Sequence, residues 1–459
     1  MLATARPVKE ISLMTSFVLT GANVVDPRDG TIAMNMDVFV TDGVISRVET
    51  TPSAVAGSTR RVDVASNFLV PGYNDMHAHA LNEKDPAGAL ELMLAFGITG
   101  FRQMSGSDAL LAARKRGTLP ITSGMPRLLE LPADVLSPGN GATTHQAVAT
   151  LRHHVEAGAD FIKVAAVSPS VFTALQKAAR EIGTTISGHL PASSDPITTS
   201  RDGLRSIEHL GPGIAMLAAC SSDETAIRHT LAKTPELKLP PFRIPFMDTI
   251  LRALMARIVV NPIQLSSSES IALLHHAIDT FDESKARTLA QEFAANGTWQ
   301  TPTLVRQLTT QQCDLARFPA DPDLKYVSPA TVKVWHSTRD KFVSKFSLAD
   351  RDTLRAEYDA QLRLLRIFDE EGVGLLAGTD ATGGVWLIPG LSLHHEFDEL
   401  AHAGLSPLRI LQSTTISAAE FLGTTATQGT IEAGKRADLV VLDANPVESA
   451  HASTRLLVL

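Results

Sequence analysis

The chain has 459 residues, a formal net charge of −8, 44% hydrophobic and 20% charged residues. That length suits a barrel of roughly 250 residues or more with an accessory module. The composition is that of a soluble globular protein, and the acidic balance gives no support to a face for nucleic acid or anionic membrane.

Residues 1–16 carry no apolar run long enough for a signal peptide and read as an N-terminal extension. Residues 17–67 read as short strands broken by turns. Phe17-Val-Leu-Thr20 leads to Gly21, Asp26-Pro-Arg-Asp-Gly30 is a turn cluster, and Met36 to Val40 alternates toward the turn Thr41-Asp-Gly43. From residue 68 strands and helices alternate, the pattern of a parallel sheet. Eight strands are expected near 68–77, 97–103, 126–131, 160–166, 184–189, 205–209, 298–304 and 374–379. Thr144 to Ala157 and Ser170 to Ile182 have the apolar spacing of amphipathic helices. Eight such units suggest a closed (β/α)8 TIM barrel over residues 68–423. Two long connections, about 214–297 and 305–373, read as mainly helical inserts, the first with a break at Pro240-Pro241 and Pro245. The C-terminal stretch returns to strand character at Ala437-Asp-Leu-Val-Val-Leu442 and from Arg455 to Leu459. The two ends, 17–67 and 424–459, are expected to meet in one small β-sandwich domain. No run of about 18 apolar residues predicts a membrane span. Two cysteines, Cys220 and Cys313, make no disulfide framework and no Cys-x-x-Cys motif, so a reducing, cytoplasmic setting is expected, although a cleaved export signal would leave no trace.

Chemistry concentrates at strand ends. In Met76-His-Ala-His79, residues two apart in a strand share a face, so His77 and His79 can reach one metal together. Lys163 lies near the end of the buried run Asp160-Phe-Ile-Lys-Val164, where an unpaired ammonium is costly. It either pairs with a carboxylate or, as a neutral amine, reacts with carbon dioxide to give a carbamate that bridges two cations. His189 and His209 each close a strand, and neutral imidazole is a common metal ligand. Asp380 closes Leu375-Leu-Ala-Gly-Thr-Asp380, although a Thr-Asp pair is also a helix N-cap signal. Each residue alone has a structural reading. Together the six occupy the C-terminal ends of five strands, the face where barrel enzymes build their sites.

This set resembles the amidohydrolase superfamily, in its branch of metal-dependent dipeptidases and imidazolonepropionase-like hydrolases. The similarity extends to Gly429-Thr-Ile-Glu-Ala-Gly-Lys-Arg-Ala-Asp438. The resemblance implies two divalent metal ions, zinc with manganese or cobalt as alternatives. His77, His79 and Asp380 would hold one, His189 and His209 the other, and carboxylated Lys163 would bridge them. Two such cations lower the pKa of a shared water, and the hydroxide attacks a carbonyl. Asp380 is the expected catalytic proton shuttle. The superfamily's mononuclear deaminases resemble a His-x-x-Glu pattern, whereas this chain reads His189-Leu-Pro-Ala192. The expected activity is hydrolysis of an amide or peptide-like bond in a small molecule: a dipeptide, an N-acyl amino acid or an aromatic amide. Lactonase, carbamate hydrolase and organophosphate hydrolase activities share this centre as alternatives, and a non-catalytic barrel is a third class. Arg102, Arg306, His394 and Tyr326 are candidate substrate contacts. The pairs His153-His154 and His275-His276 fall on helical stretches and read as structural. A homo-oligomer is the expected assembly.

Overall fold

The computed structural model describes residues 16–52, 59–233, 259–454 and 456–457. Most of the expected N-terminal extension, the Pro240-Pro241 and Pro245 break, and Arg455 lie outside the described residues.

Both ends of the chain enter one mixed sheet. Its strands are β1 (Ser16–Val25), β2 (Ile32–Thr41), β3 (Val44–Thr50), β4 (Arg60–Asp63), β5 (Phe68–Pro71), β13 (Leu439–Leu442) and β14 (Leu456–Leu457). The order is β14-β13-β5-β1-β2-β3, with β4 paired to β1. The β2–β3 hairpin closes through Asp42 and Gly43, at φ +51° and +75°, the positive angles that a two-residue loop demands. Leu19, Val38, Ile45, Leu69 and Val441 form its buried face. Burial of each such side chain stabilises by ~1.5–3 kcal/mol, so the C-terminal strand contributes directly to the N-terminal sheet.

The middle of the chain forms parallel strands with helices between them. β6 (Tyr73–Ala78), β7 (Ile98–Gln103) and β8 (Arg127–Glu130) make one sheet. β9 (Ile162–Val164), β10 (Ile186–Gly188), β11 (Leu204–Glu208) and β12 (Trp299–Thr301) make another, in the order β12-β11-β10-β9. Helices α1 (Pro86–Ala95), α2 (Asp108–Arg116), α3 (Thr144–Ala157), α4 (Pro169–Ile182) and α5 (Pro196–Arg201) follow β6 to β10 in turn. The sequence sets their ends. In α4, Ser168 caps the N-terminus, Pro169 opens the helix and Gly183 stops it at φ +82°, while Val171, Phe172, Leu175 and Ala179 face the core.

After β11 come α6 (Ala215–Ala219), α7 (Glu224–Lys233), α8 (Ser268–Asp279) and α9 (Glu283–Asn296). After β12 come α10 (Leu304–Gln311), α11 (Pro329–Lys345) and α12 (Leu348–Glu370), then α13 (Leu391–His402), α14 (Pro407–Thr414) and α15 (Ile416–Phe421). The two long inserts share one apolar cluster. Ile227 and Ile271 from the first pack with Trp335, Phe342 and Leu354 from the second, and with Trp386. No described helix is long and apolar enough to cross a membrane.

Two expectations about the strands change. The stretch 68–77 is not one strand: Pro71-Gly72 splits it, β5 pairs in the mixed sheet and β6 pairs with β7. A Cβ on Gly72 would lie 2.1 Å from Thr99 Oγ1, so only glycine permits the crossing. The stretch 374–379 is not laddered as a strand. It makes single bridges at Gln300–Leu375 and Ala78–Ala381, with Met76 N–H donating to the Ala377 carbonyl at 2.9 Å. Gly374 and Gly378 supply close approach to Trp299 and His77 rather than side chains for a ladder. No closed barrel is found among the described residues: the parallel strands stand as two sheets.

Candidate metal centre

The six expected ligands gather at the ends of β6, β9, β10, β11 and the 374–379 stretch. His77 is the penultimate residue of the fully buried strand β6, and His79 follows the strand directly. Lys163 is the middle residue of β9 and is buried. His189 follows β10, His209 follows β11, and Asp380 follows the glycine-bearing stretch. His209 and Asp380 sit at φ +58° and +59°, and Thr303, just past β12, at +45°. Non-glycine residues rarely occupy that region, and such strain gathers where surrounding structure fixes a functional geometry.

Each of three imidazoles is fixed through Nδ1. His77 Nδ1 meets Glu208 Oε2 at 2.6 Å, His79 Nδ1 meets Ser105 Oγ at 2.7 Å, and His209 Nδ1 meets Thr303 Oγ1 at 2.6 Å. Their Nε2 atoms are thereby left for the centre, the arrangement that aims a metal-binding histidine. Asp380 Oδ1 lies 3.2 Å from His77 Nε2 and 2.7 Å from His79 Nε2. His77, His209 and Asp380 offer ligand atoms all within 4.8 Å of one another. The His189 ring centroid lies 5.1 Å from that of His209.

The electrostatics suit a cation. Burial pulls His189 down to about 3, reinforced by Lys163, and pulls His209 well below its usual value, reinforced by His77. Burial would raise Asp380, but the His209, His77 and His79 imidazoles hold its carboxyl well below the usual range. Burial brings Lys163 down to about 8 against the pull of Glu208 and Asp380, and its Nζ has no hydrogen-bond partner. A buried orphan amine costs energy unless something else completes it. The anionic and neutral donors, with that orphan Nζ among them, fit a divalent metal pair and a lysine carbamate.

The expected substrate contacts do not gather in the same way. Arg102 is fully buried, with its donors given to Glu130 Oε2 at 2.7 Å, Ser187 Oγ at 2.8 Å, and Ser206 and Glu208 at 3.4 Å. His394 is held by the Phe96 carbonyl at 2.8 Å and packs edge-on to Phe96. Tyr326 is 47% exposed and touches Phe96. Arg306 does reach the centre, with Nε 3.1 Å from Asp380 Oδ2. His153-His154 and His275-His276 lie on α3 and α8, away from these residues.

Two buried carboxylates went unread. Glu208 holds His77, accepts from Ser206 at 2.7 Å, and is kept well below its usual range: burial opposes this, but Lys163, His77 and Arg102 outweigh it. Asp75 accepts from the His77 and Thr379 backbones at 3.1 Å and from Thr379 Oγ1 at 2.7 Å, tying β6 to the Asp380 stretch. The signal in both cases is a charged residue one or two places before a strand-end histidine.

Comparison with known proteins agrees with the fold. Bottromycin amidohydrolase superposes with a TM-score of 0.68 at 24% identity, over 99% of this chain and 89% of that one. A Xaa-Pro dipeptidase with methionine bound in its active site superposes at 0.60 and 17% identity, over 96% and 97%. A. niger ochratoxinase superposes at 0.58 and 13%, over 96% and 93%. In sequence, the dihydroorotase of Carboxydothermus hydrogenoformans is 32% identical over 96 residues, which span 20% of this chain and 22% of that protein. The amidohydrolase family model matches residues 68–457. This chain therefore belongs to the amidohydrolase family.

Proposed function

We propose that this protein is a binuclear metal-dependent amidohydrolase that cleaves an amide or peptide-like bond of a small molecule. The observation that carries the reading is the convergence of His77, His209 and Asp380 beside the unpartnered Nζ of Lys163. His77, His79 and Asp380 would hold one divalent ion, zinc first among the candidates. His189 and His209 would hold the second, with Lys163 as a carbamate between them. The bound ions would supply Lewis acidity and a water acidic enough to ionise near neutral pH.

The chain's own residues do the rest. Glu208, Ser105 and Thr303 aim the three imidazoles, so the ligand geometry is set before metal arrives. Asp380 accepts a proton from the attacking water at a carboxylate oxygen and hands it to the leaving nitrogen. The two parallel sheets, with residues 374–381 bridging β12 to β6, and Leu136 after β8 bridging to Val164 of β9, read as arcs of one (β/α)8 barrel. On this reading residues 68–423 are the catalytic domain, and 17–67 with 424–459 a β-sheet domain beside it.

The solved structures that resemble this fold include a bottromycin amidohydrolase and a Xaa-Pro dipeptidase, which favours the dipeptide among the candidate substrates, with N-acyl amino acids and aromatic amides beside it. The test is elemental analysis of purified protein with an assay panel of dipeptides, N-acyl amino acids, lactones, carbamates and phosphotriesters. About two equivalents of metal and turnover confined to the amides are expected. Faster lactone or phosphotriester turnover would replace the amide assignment, and metal-free protein would remove the centre.

A further inference from the structure

The two oxygens of Asp380 are treated differently. Oδ1 faces His77 and His79, whereas Oδ2 is ion-paired with Arg306, whose Nε stands 3.1 Å away. The guanidinium is itself pinned: Nη1 donates to the Val260 carbonyl at 3.0 Å and Nη2 to the Val259 carbonyl. Arg306 is buried in the first turn of α10, which is anchored from three sides. Glu396 accepts the Val305 N–H at 2.8 Å, Gln307 donates to the His209 carbonyl at 2.6 Å, and Thr303 meets the His209 ring. Gly384 completes the housing. A Cβ there would lie 1.9 Å from Arg306 Nη1, and its φ is outside the left-handed region, so space rather than backbone calls for glycine.

We propose that Arg306 is a positioning residue for Asp380: pinned by the Val259 and Val260 carbonyls and housed against Gly384, it occupies Oδ2 and presents Oδ1 alone to the metal side. This rests on reading the site as a metal centre. It replaces the expectation that Arg306 binds a substrate carboxylate, because Nε is ion-paired with Asp380 while Nη1 and Nη2 each donate to a main-chain carbonyl. The planar fork is the reason for arginine. A lysine ammonium has no geometry that meets two carbonyls and a carboxylate at these fixed positions.

The test uses the full chain as wild type, R306M, R306K and G384A. Zinc affinity is measured by chelator competition, and ligand geometry by the visible absorption of cobalt-substituted protein. Losing a group that orients a metal ligand costs about 10–100-fold in affinity, so R306M is expected to bind zinc at least about tenfold more weakly, with an altered cobalt spectrum. R306K is expected not to rescue it. G384A displaces the guanidinium and is expected to shift both readouts the same way, while adding less than about twofold on top of R306M. R306M binding within about twofold of wild type with an unchanged spectrum overturns the proposal. So does an R306M defect confined to KM for carboxylate-bearing substrates. If R306M does not fold, an unchanged G384A decides against it in the same way. Wild-type protein that binds neither metal overturns the metal centre, and this proposal with it; normal wild-type binding with an indifferent R306M overturns the proposal alone.

Discussion

Asp380 carries more constraints than any neighbour in the centre: a left-handed backbone, two imidazoles on one oxygen and a guanidinium on the other. Asparagine keeps the shape and one ligand oxygen but cannot take a proton from water. D380N should therefore retain metal in elemental analysis while turnover falls about 10²–10⁴-fold, the range attributable to a positioned acid–base group. Near-normal turnover would assign the proton transfer elsewhere. At this scale the sequence was informative about strand-end histidines, because spacing and apolar context mark them. It was silent about which acceptors stand opposite Arg102. Glu130, Ser187, Ser206 and Glu208 come from three other strands, and only the folded chain reveals that they consume its donors.

Among elements, the expected strands at 97–103 and 205–209 match Ile98–Gln103 and Leu204–Glu208 because apolar runs bounded by turns determine them. The expected helix Thr144 to Ala157 has those bounds for a similar reason, with Thr143 as cap and Gly158 as stop. The 374–379 stretch escapes that logic, since its glycines serve contact rather than pairing. A Cβ on Gly378 would stand 2.8 Å from His77 Cβ and 2.9 Å from His77 N. G378A should push the His77 backbone aside, costing ~1–3 kcal/mol as overpacking and lowering metal content together with melting temperature. A stable, fully metallated G378A would show that β6 has slack. On α12, Glu357 is buried beside Gln311, and burial raises its carboxyl to about 8. The folded state thus holds that proton more tightly than the unfolded chain does. Its stabilising contribution is complete below about pH 4.5 and drains away as pH rises toward 8. The melting temperature of E357Q should equal that of wild type near pH 5 and exceed it by a margin that widens to pH 8, then levels. A margin independent of pH would mean the carboxyl titrates normally.

The whole molecule is closed by its own tail. β13 covers the edge of β5, and Tyr73 donates to the Ser453 carbonyl at 2.9 Å, from β6 to a residue 380 positions later. Removing residues 439–459 should strip that edge and the contact together. The expected outcome is loss of the cooperative thermal transition and aggregation through the bared strand; a soluble, cooperatively melting truncation would show that the mixed sheet stands without its last strands.

The reach of these contacts also sets an order in time. His79 meets Asp380 across 301 positions. At ~5–20 residues per second of synthesis, the histidine emerges roughly 15–60 s before its aspartate. For that interval the nascent chain holds imidazoles without their carboxylate and a strand β5 paired to β1 but not yet to β13. The centre is complete only once residue 380 has been added, so a ribosome stalled before it displays a sticky sheet edge and gathered imidazoles that lack their aspartate.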